Sequence, residues 1–306
     1  MFILRLSFYW ERIMPVFLFG CLFSLVWSSA FVAGKVSIDY VLPLNFLFFR
    51  FVSAGLLLLA VWAWLNRRQP FAGLRNRRLW LVGSLLGLLN YALYLGFSYT
   101  GLQTVSPQLV ILLVATTPFI TLLLSVLLGT RLHAKLLLAI AIGFSGVYIA
   151  LSDKLGNAAF GLGVVWVLLG VAALSAGTLF YQRHAQALHP LPLIGIQNLV
   201  GGLLLLPFAE YQSLYAAMTN TPFVLSWLYQ VIAISIVAMW MWFWLVRRIG
   251  SDSASVFHLM NPVFGILLSA AFFHTAVTRN DMIGTAVVIA GMALSMRWKA
   301  PGGRAR

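Results

Sequence analysis

The side chains able to do chemistry in this sequence stand inside long apolar stretches. HLMNPVFG, residues 258–265, sets His258, Asn261 and Pro262 within an apolar run from about Ser253 to Phe273. VATTPFIT sets Thr117 and Pro118 in a similar run. A proline within a helix removes the hydrogen bond to the carbonyl four residues back, so Pro118 and Pro262 should free the carbonyls of Val114 and His258. Such a break is tolerated in a membrane where protein or a watery cavity meets the carbonyl. The two prolines are read as hinges, against the plainer alternative of static kinks. His258 is the most internal imidazole. With an ordinary pKa of about 6.5 it is either a pH-responsive group or a neutral ring bonded to a neighbouring helix.

A third stretch, LLNYALYLGFSY, carries Asn90, Tyr91 and Tyr94. In a regular α-helix, i,i+3 and i,i+4 spacings put these polar groups on one face. Trp27, Ser175 and Thr178 also fall mid-stretch or at helix breaks. Aromatic faces among small hydroxyls suit a solute with an apolar side chain, and the set is a candidate central-cavity lining. The competing reading is interhelical glue, at about 0.6–2 kcal/mol per hydrogen bond. Arg50, in FLFFRFVSAG, is either a partner for a substrate carboxylate or a structural cation that snorkels outward. Trp240, Trp242 and Trp244 stand just before Arg247 and Arg248, which favours an interfacial aromatic belt over a stacking site.

Catalytic constellations are not expected. The six acids, Glu11, Asp39, Asp153, Glu210, Asp252 and Asp281, all fall in loops or at span ends. Proton-driven pumps usually rely on buried carboxylates, so uniport, or weak proton coupling through histidine, fits better. No HExxH or P-loop motif occurs, and the single cysteine, Cys21, has no ligand cluster around it. The sequence therefore reads as a non-enzyme without cofactor or metal.

These side chains must be positioned by membrane helices. Hydrophobic residues make up 62% of the 306 residues and charged residues only 8%, with mean hydropathy +0.96. Soluble domains carry about 25% charged residues. Ten apolar stretches are long enough to cross a bilayer, near 14–33, 44–64, 79–99, 106–128, 134–151, 160–180, 191–208, 223–245, 253–273 and 282–297. With the N-terminus inside, sixteen of the lysines and arginines fall in inner segments and three, Lys35, Lys154 and Arg279, in outer ones. That bias predicts ten spans with both termini cytoplasmic. WSSAFVAG offers small residues after an apolar core, but the core is long and carries Trp27, so cleavage as a signal peptide is not expected. The tail RWKAPGGRAR should be disordered and attract anionic lipid.

The chain also repeats. Pro118 and Pro262 each precede an apolar half-helix, a turn and a last helix with small residues, IGFSGVYIAL and VVIAGMALSM. The halves are 1–152 and 153–306. Five spans per half is odd, so the second half must enter the membrane inverted, an arrangement suited to alternating access. Ala139 with Gly143, and Ala286 with Ala290, form small-residue patches for helix packing, with a homodimer interface as a further option.

TVSPQLVILLVATTPFITLLLSVLLGTRL and IGSDSASVFHLMNPVFGILLSAAFF, each followed by its Gly-containing last helix, resemble the EamA-type repeat of the drug/metabolite transporter superfamily. The family pattern often has Gly-Glu after the proline helix. Gly129-Thr130 keeps the glycine without the acid, and His274 stands near the equivalent place in the second half. Within the superfamily the chain is most similar to YddG-type amino-acid exporters. The resemblance implies an all-α, inverted-repeat exporter of neutral and aromatic amino acids in a bacterial inner membrane, whose central cavity is lined by the Tyr91 stretch. Export of another metabolite or of a cationic drug is the alternative within transport. A channel or an integral-membrane enzyme is the alternative outside it.

Overall fold

A computed structural model describes residues 2–297 apart from 70, 72, 106–109, 111–112, 131–133, 156–160, 209–210 and 274–275. His274 and the basic tail from residue 298 lie outside the described residues. Among the described residues there is no strand. The longer helices are α1 (Phe2–Ile38), α2 (Pro43–Leu65), α3 (Arg77–Gly101), α4 (Thr117–Leu127), α5 (Ala134–Leu155), α6 (Leu162–His184), α7 (Pro190–Leu203), α8 (Thr221–Ile249), α9 (Ser251–Phe272) and α10 (Arg279–Arg297). Of these α2, α3, α6, α8 and α9 are long and apolar enough to cross a membrane, and shorter apolar helices cover Pro15–Ala30, Thr117–Leu127, Ala134–Ala150 and Pro190–Leu203.

Helix starts follow from local chemistry. Proline stands in the first turn of α2, α4, α7 and α8, where its missing N–H removes nothing. Asn76 caps α3 by accepting from the Arg78 N–H at 2.9 Å. At α10 the Asp281 carboxylate accepts from the Thr278 N–H at 2.8 Å, while the Asp281 N–H donates to the Thr278 hydroxyl at 3.2 Å, a reciprocal cap. Gly250 joins α8 to α9 with φ 81, a conformation that disfavours any side chain there.

Packing is set by small residues. The α5–α10 pair meets along Gly143, Gly146 and Ala150 on one side and Gly284, Val288 and Gly291 on the other. A Cβ on Gly146 would lie 2.6 Å from the Val288 nitrogen, so the backbones are in direct contact there. Between helices in lipid, such close approach supplies the van der Waals attraction that the hydrophobic effect cannot. The sequence expectation held for Ala139 and Gly143. On α10 the contact falls instead on Gly284, Val288 and Gly291, and Ala286 and Ala290 are exposed, because the glycine row lies on a different face of the turn.

Elsewhere α2 packs on α7, α3 on α6 and α7, α4 on α6, and α1 on α8 and α9. The interior is continuous, from Phe23, Trp27, Phe46 and Phe51 to Tyr91, Tyr94, Tyr181, Trp242 and Phe257. Exposed leucines such as Leu18, Leu22, Leu56, Leu123 and Leu225 line the outside of the bundle, where lipid would meet them.

Two helices contain wide turns. Leu88–Leu93 in α3 and Gln230–Ala238 in α8 are wound with i→i+5 hydrogen bonds. Regular-helix spacing does not anticipate this.

Candidate functional site

Arg50 sits seven residues beyond the start of α2, about 10 Å along the axis. It is 2% exposed. Its Nε donates to the Ser235 hydroxyl at 2.8 Å and its Nη1 to Gln230 Oε1 at 2.6 Å. Tyr99 lies beside the same guanidinium and Gln230. Gln230 and Ser235 are five residues apart. In an α-helix that separation turns about 500°, leaving the two on different faces. The i→i+5 winding of α8 brings them together, so the local distortion is what builds the guanidinium cradle.

Asn198 of α7 closes this layer. Its Nδ2 donates to the Tyr91 hydroxyl at 2.9 Å and to the Ile194 carbonyl at 2.9 Å, with the Ser235 carbonyl at 3.4 Å. Its Oδ1 has no partner among the described residues, and neither has either amide atom of the adjacent Gln197. Both side chains are fully buried.

On α3 the wide turn separates neighbours that a regular helix would group. Asn90 packs over Gly177 of α6, whereas Tyr91 packs on Gly201 of α7 and edge-on against Phe51 at 4.8 Å. Tyr94 lies beside the Trp27 side chain. The expected single polar face of Asn90, Tyr91 and Tyr94 is therefore replaced by contacts to α6, α7 and α1, because the 88–93 turn is wider than 3.6 residues.

Trp27 links the Arg50 layer to a second group. Its ring lies 6.0 Å from the His258 ring, which is also flanked by Phe23 at 5.8 Å and Trp242 at 4.8 Å. His258 Nδ1 meets Asn261 Nδ2 at 3.1 Å, one turn along the same helix rather than on a neighbouring one. His258 Nε2 and Asn261 Oδ1 have no partner among the described residues. Trp242 is buried beside Phe23 and His258, which overturns its placement in an interfacial belt; Trp240 on the opposite face is 45% exposed. Alternation along the helix decides which tryptophan meets the interior.

Both proline breaks occur, and neither leaves the expected carbonyls free. At the start of α4 the Thr117 hydroxyl donates to the Val114 carbonyl at 2.5 Å, and just before it Thr116 donates to Leu113 at 2.6 Å. In α9 a 3-10 turn, Val256–Met260, precedes Pro262, and the Asn261 N–H takes the His258 carbonyl. Serines of α1 supply the rest: Ser24 donates to the Phe257 carbonyl at 2.8 Å and Ser28 to the Asn261 carbonyl at 3.1 Å.

Two predicted residues lie aside from these groups. Thr178 is buried but bonds its own helix, donating to Leu174 at 2.8 Å. Ser175 is buried with no partner for its hydroxyl among the described residues. Sequence reading passed over Gln197, Asn198, Gln230, Ser235, Tyr99, Ser24 and Ser28. The signal was present, since amides in IQNLV and YQVIAIS interrupt apolar helices much as Asn90 does.

Polar ties close the bundle beyond both groups. Ser37 meets Ser226 at 2.7 Å and Ser29 meets Tyr229 at 2.5 Å between α1 and α8. At the other end Arg78 donates to the His184 carbonyl at 3.1 Å, Arg183 to Leu128 at 3.1 Å and Arg247 to Leu188 at 2.7 Å, while Ser125 donates to Asp252 at 2.7 Å. Arg78 and Arg183, at the carbonyl ends of α6 and α4, also complement the helix dipole.

The EamA-like transporter family matches the chain twice, over residues 14–152 and 161–297. The uncharacterized inner membrane transporter YedA of Escherichia coli is 26% identical over 289 residues, covering 90% of each chain. The uncharacterized transporter YvbV of Bacillus subtilis is 24% identical over 275 residues, covering 88% of each. A solved protein crystal structure aligns with TM-score 0.72 over 94% of this chain and 98% of that chain at 19% identity, which shows a shared fold. The chain belongs to the EamA-like transporter family and is a membrane transporter.

Proposed function

We propose that this EamA-like transporter exports small organic solutes, neutral and aromatic amino acids foremost, by alternating access across a bacterial inner membrane. The observation that carries the reading is the buried polar and aromatic layer from Arg50 through Tyr91, Tyr94 and Trp27 to His258 and Asn261, where no member is more than 6% exposed. Polar groups at this depth are costly unless they serve binding or are fully paired, and His258 Nε2 and Asn261 Oδ1 have no partner among the described residues. A solute can reach them only if helices move, and the breaks at Pro118 and Pro262 are the sites at which α4 and α9 would bend.

The pattern of packing supports the 5+5 repeat, and the excess of lysine and arginine in alternate segments supports ten spans with both termini inside. The α1–α9 contact has its counterpart in α6–α4, and α1–α8 in α6–α3, as exchange of the halves 1–152 and 153–306 requires. The i→i+5 segments obey the same exchange, starting at Leu88 in α3 and Gln230 in α8. Central binding at the junction of such halves is the arrangement seen in transporters with inverted repeats.

The test is a proteoliposome panel of labelled amino acids, with counterflow and with or without a pH gradient. Saturable exchange of phenylalanine, tryptophan, leucine or methionine is expected. Absence of all four removes the amino-acid reading, and loss of counterflow removes the carrier mechanism in favour of a channel.

A further inference from the structure

We infer that Arg50, held by α8, is a subsite for the carboxylate of a monoanionic or zwitterionic solute. The inference deepens the amino-acid reading and rests on it for the class of solute. Its grounds are local. A guanidinium keeps its charge in a protein. Arg50 is buried, yet no carboxylate pairs with it among the described residues; Ser235, Gln230 and Tyr99 are neutral. Neutral partners satisfy N–H geometry but leave the net charge uncompensated, and an uncompensated buried cation costs several kcal/mol. The i→i+5 winding of α8 holds that cation in a fixed orientation, pairing its N–H groups but not its charge.

An arriving carboxylate supplies the missing charge. Arginine's fork matches it in shape, and charge-assisted bonds of this kind are about twice as strong as neutral ones. The same layer contains the unpartnered Asn198 Oδ1, which lies across Ser235 from Arg50 and is an acceptor for an ammonium N–H. A cation and an open acceptor around one residue complement a zwitterion. They oppose a simple organic cation, which Arg50 would repel, so the layer discriminates against the cationic-drug alternative.

The experiment reads thermal protection of the purified full chain in detergent by four ligands of one skeleton: phenylalanine, 3-phenylpropionate, phenethylamine and 3-phenylpropanol. Protection by the two carboxylates, and little by the amine or alcohol, is expected. Arg50→Lys should weaken carboxylate protection roughly tenfold to hundredfold, because the forked geometry is lost. Arg50→Gln should abolish it while keeping a cooperative unliganded transition. Should that variant not fold, Ser235→Ala retains the cation and is expected to weaken carboxylate protection alone, roughly fivefold. Equal protection by the alcohol, unchanged carboxylate protection in Arg50→Gln or Ser235→Ala, or no protection of the wild type by either carboxylate overturns the assignment. The two readings separate cleanly. Carboxylate-specific protection without amino-acid transport removes the export reading and keeps the subsite; phenylalanine transport unaltered by Arg50→Gln does the reverse.

Discussion

The break at the start of α4 closes within its own segment, whereas the break in α9 is also tied to another helix. Thr116 and Thr117 turn their hydroxyls back onto Leu113 and Val114 within the same segment. At Pro262 the carbonyls of Phe257 and Asn261 are met from α1, by Ser24 and Ser28. The chemistry at the proline is the same in both halves, but the consequence differs. A self-capped break can bend without asking anything of its neighbours. A break capped from α1 cannot change its angle without breaking those two bonds or carrying α1 with it. Since α1 also holds Trp27, which joins Tyr94 to His258, movement at Pro262 should be felt in the whole buried layer.

The largest effect is expected from the capping serines. Replacing Ser24 and Ser28 together by alanine removes both hydrogen bonds that tie α1 to the break in α9, and a destabilisation of about 2 kcal/mol is expected in membrane-like surroundings. It is read as a lower melting temperature in detergent, together with slowed solute exchange. Thr117→Val, nearly isosteric, removes the α4 cap and should cost about 1 kcal/mol without altering the α1–α9 relation. A double-mutant cycle sharpens the contrast: Ser28→Ala should couple to Pro262→Ala and be additive with Thr117→Val. Coupling of equal size in both cycles would erase the distinction between the breaks.

Much of this was readable from the residues. Pro118 and Pro262 announced themselves because proline is rare inside an apolar helix, and their common spacing pointed to the repeat. The burial of Tyr91, Tyr94, His258 and Asn261 follows from polarity alone. The cradle of Arg50 was not readable, because its partners Gln230 and Ser235 are five apart and fall on different faces of any regular helix. Nor was the ownership of the α9 caps, since Ser24 and Ser28 lie 233 residues from the carbonyls they serve. Trp242 was misread for a related reason. Nearness to Arg247 and Arg248 suggests an interface, while the direction of the side chain is fixed by the angular position of one residue among three tryptophans.

The prolines themselves come next in size. Pro262→Ala restores an N–H that competes with Asn261 for the His258 carbonyl, straightening α9 against its α1 caps. A fall in transport rate on the order of tenfold is expected, with the melting temperature nearly unchanged. Pro118→Ala acts on a break that already closes on itself, so roughly a threefold fall is expected. Wild-type rates for both variants in liposomes would end the hinge interpretation, and equal losses would show that the α1 caps do not bear on motion.

The smallest expected effect lies at the helix end where the arginine ties gather, and it tests whether closure there is independent of the buried layer. His189 caps α7 by accepting from the Leu191 N–H through Nδ1 at 3.3 Å, which requires that nitrogen to be unprotonated. Desolvation, and then the charge of Arg247, hold its pKa below the ordinary imidazole value of 6.5. Above that value the ring is neutral in folded and unfolded chains alike and pH has no leverage through it. As pH falls below 6.5 the unfolded chain takes up the proton first, so stability declines with acidification until the folded ring also protonates. A slight drop in melting temperature is expected below pH 6.5, removed by His189→Asn, which keeps a capping oxygen without the titration. If acid instead altered solute exchange while this variant kept the full pH response, the sensitive group would lie in the buried layer, with His258 the first to replace.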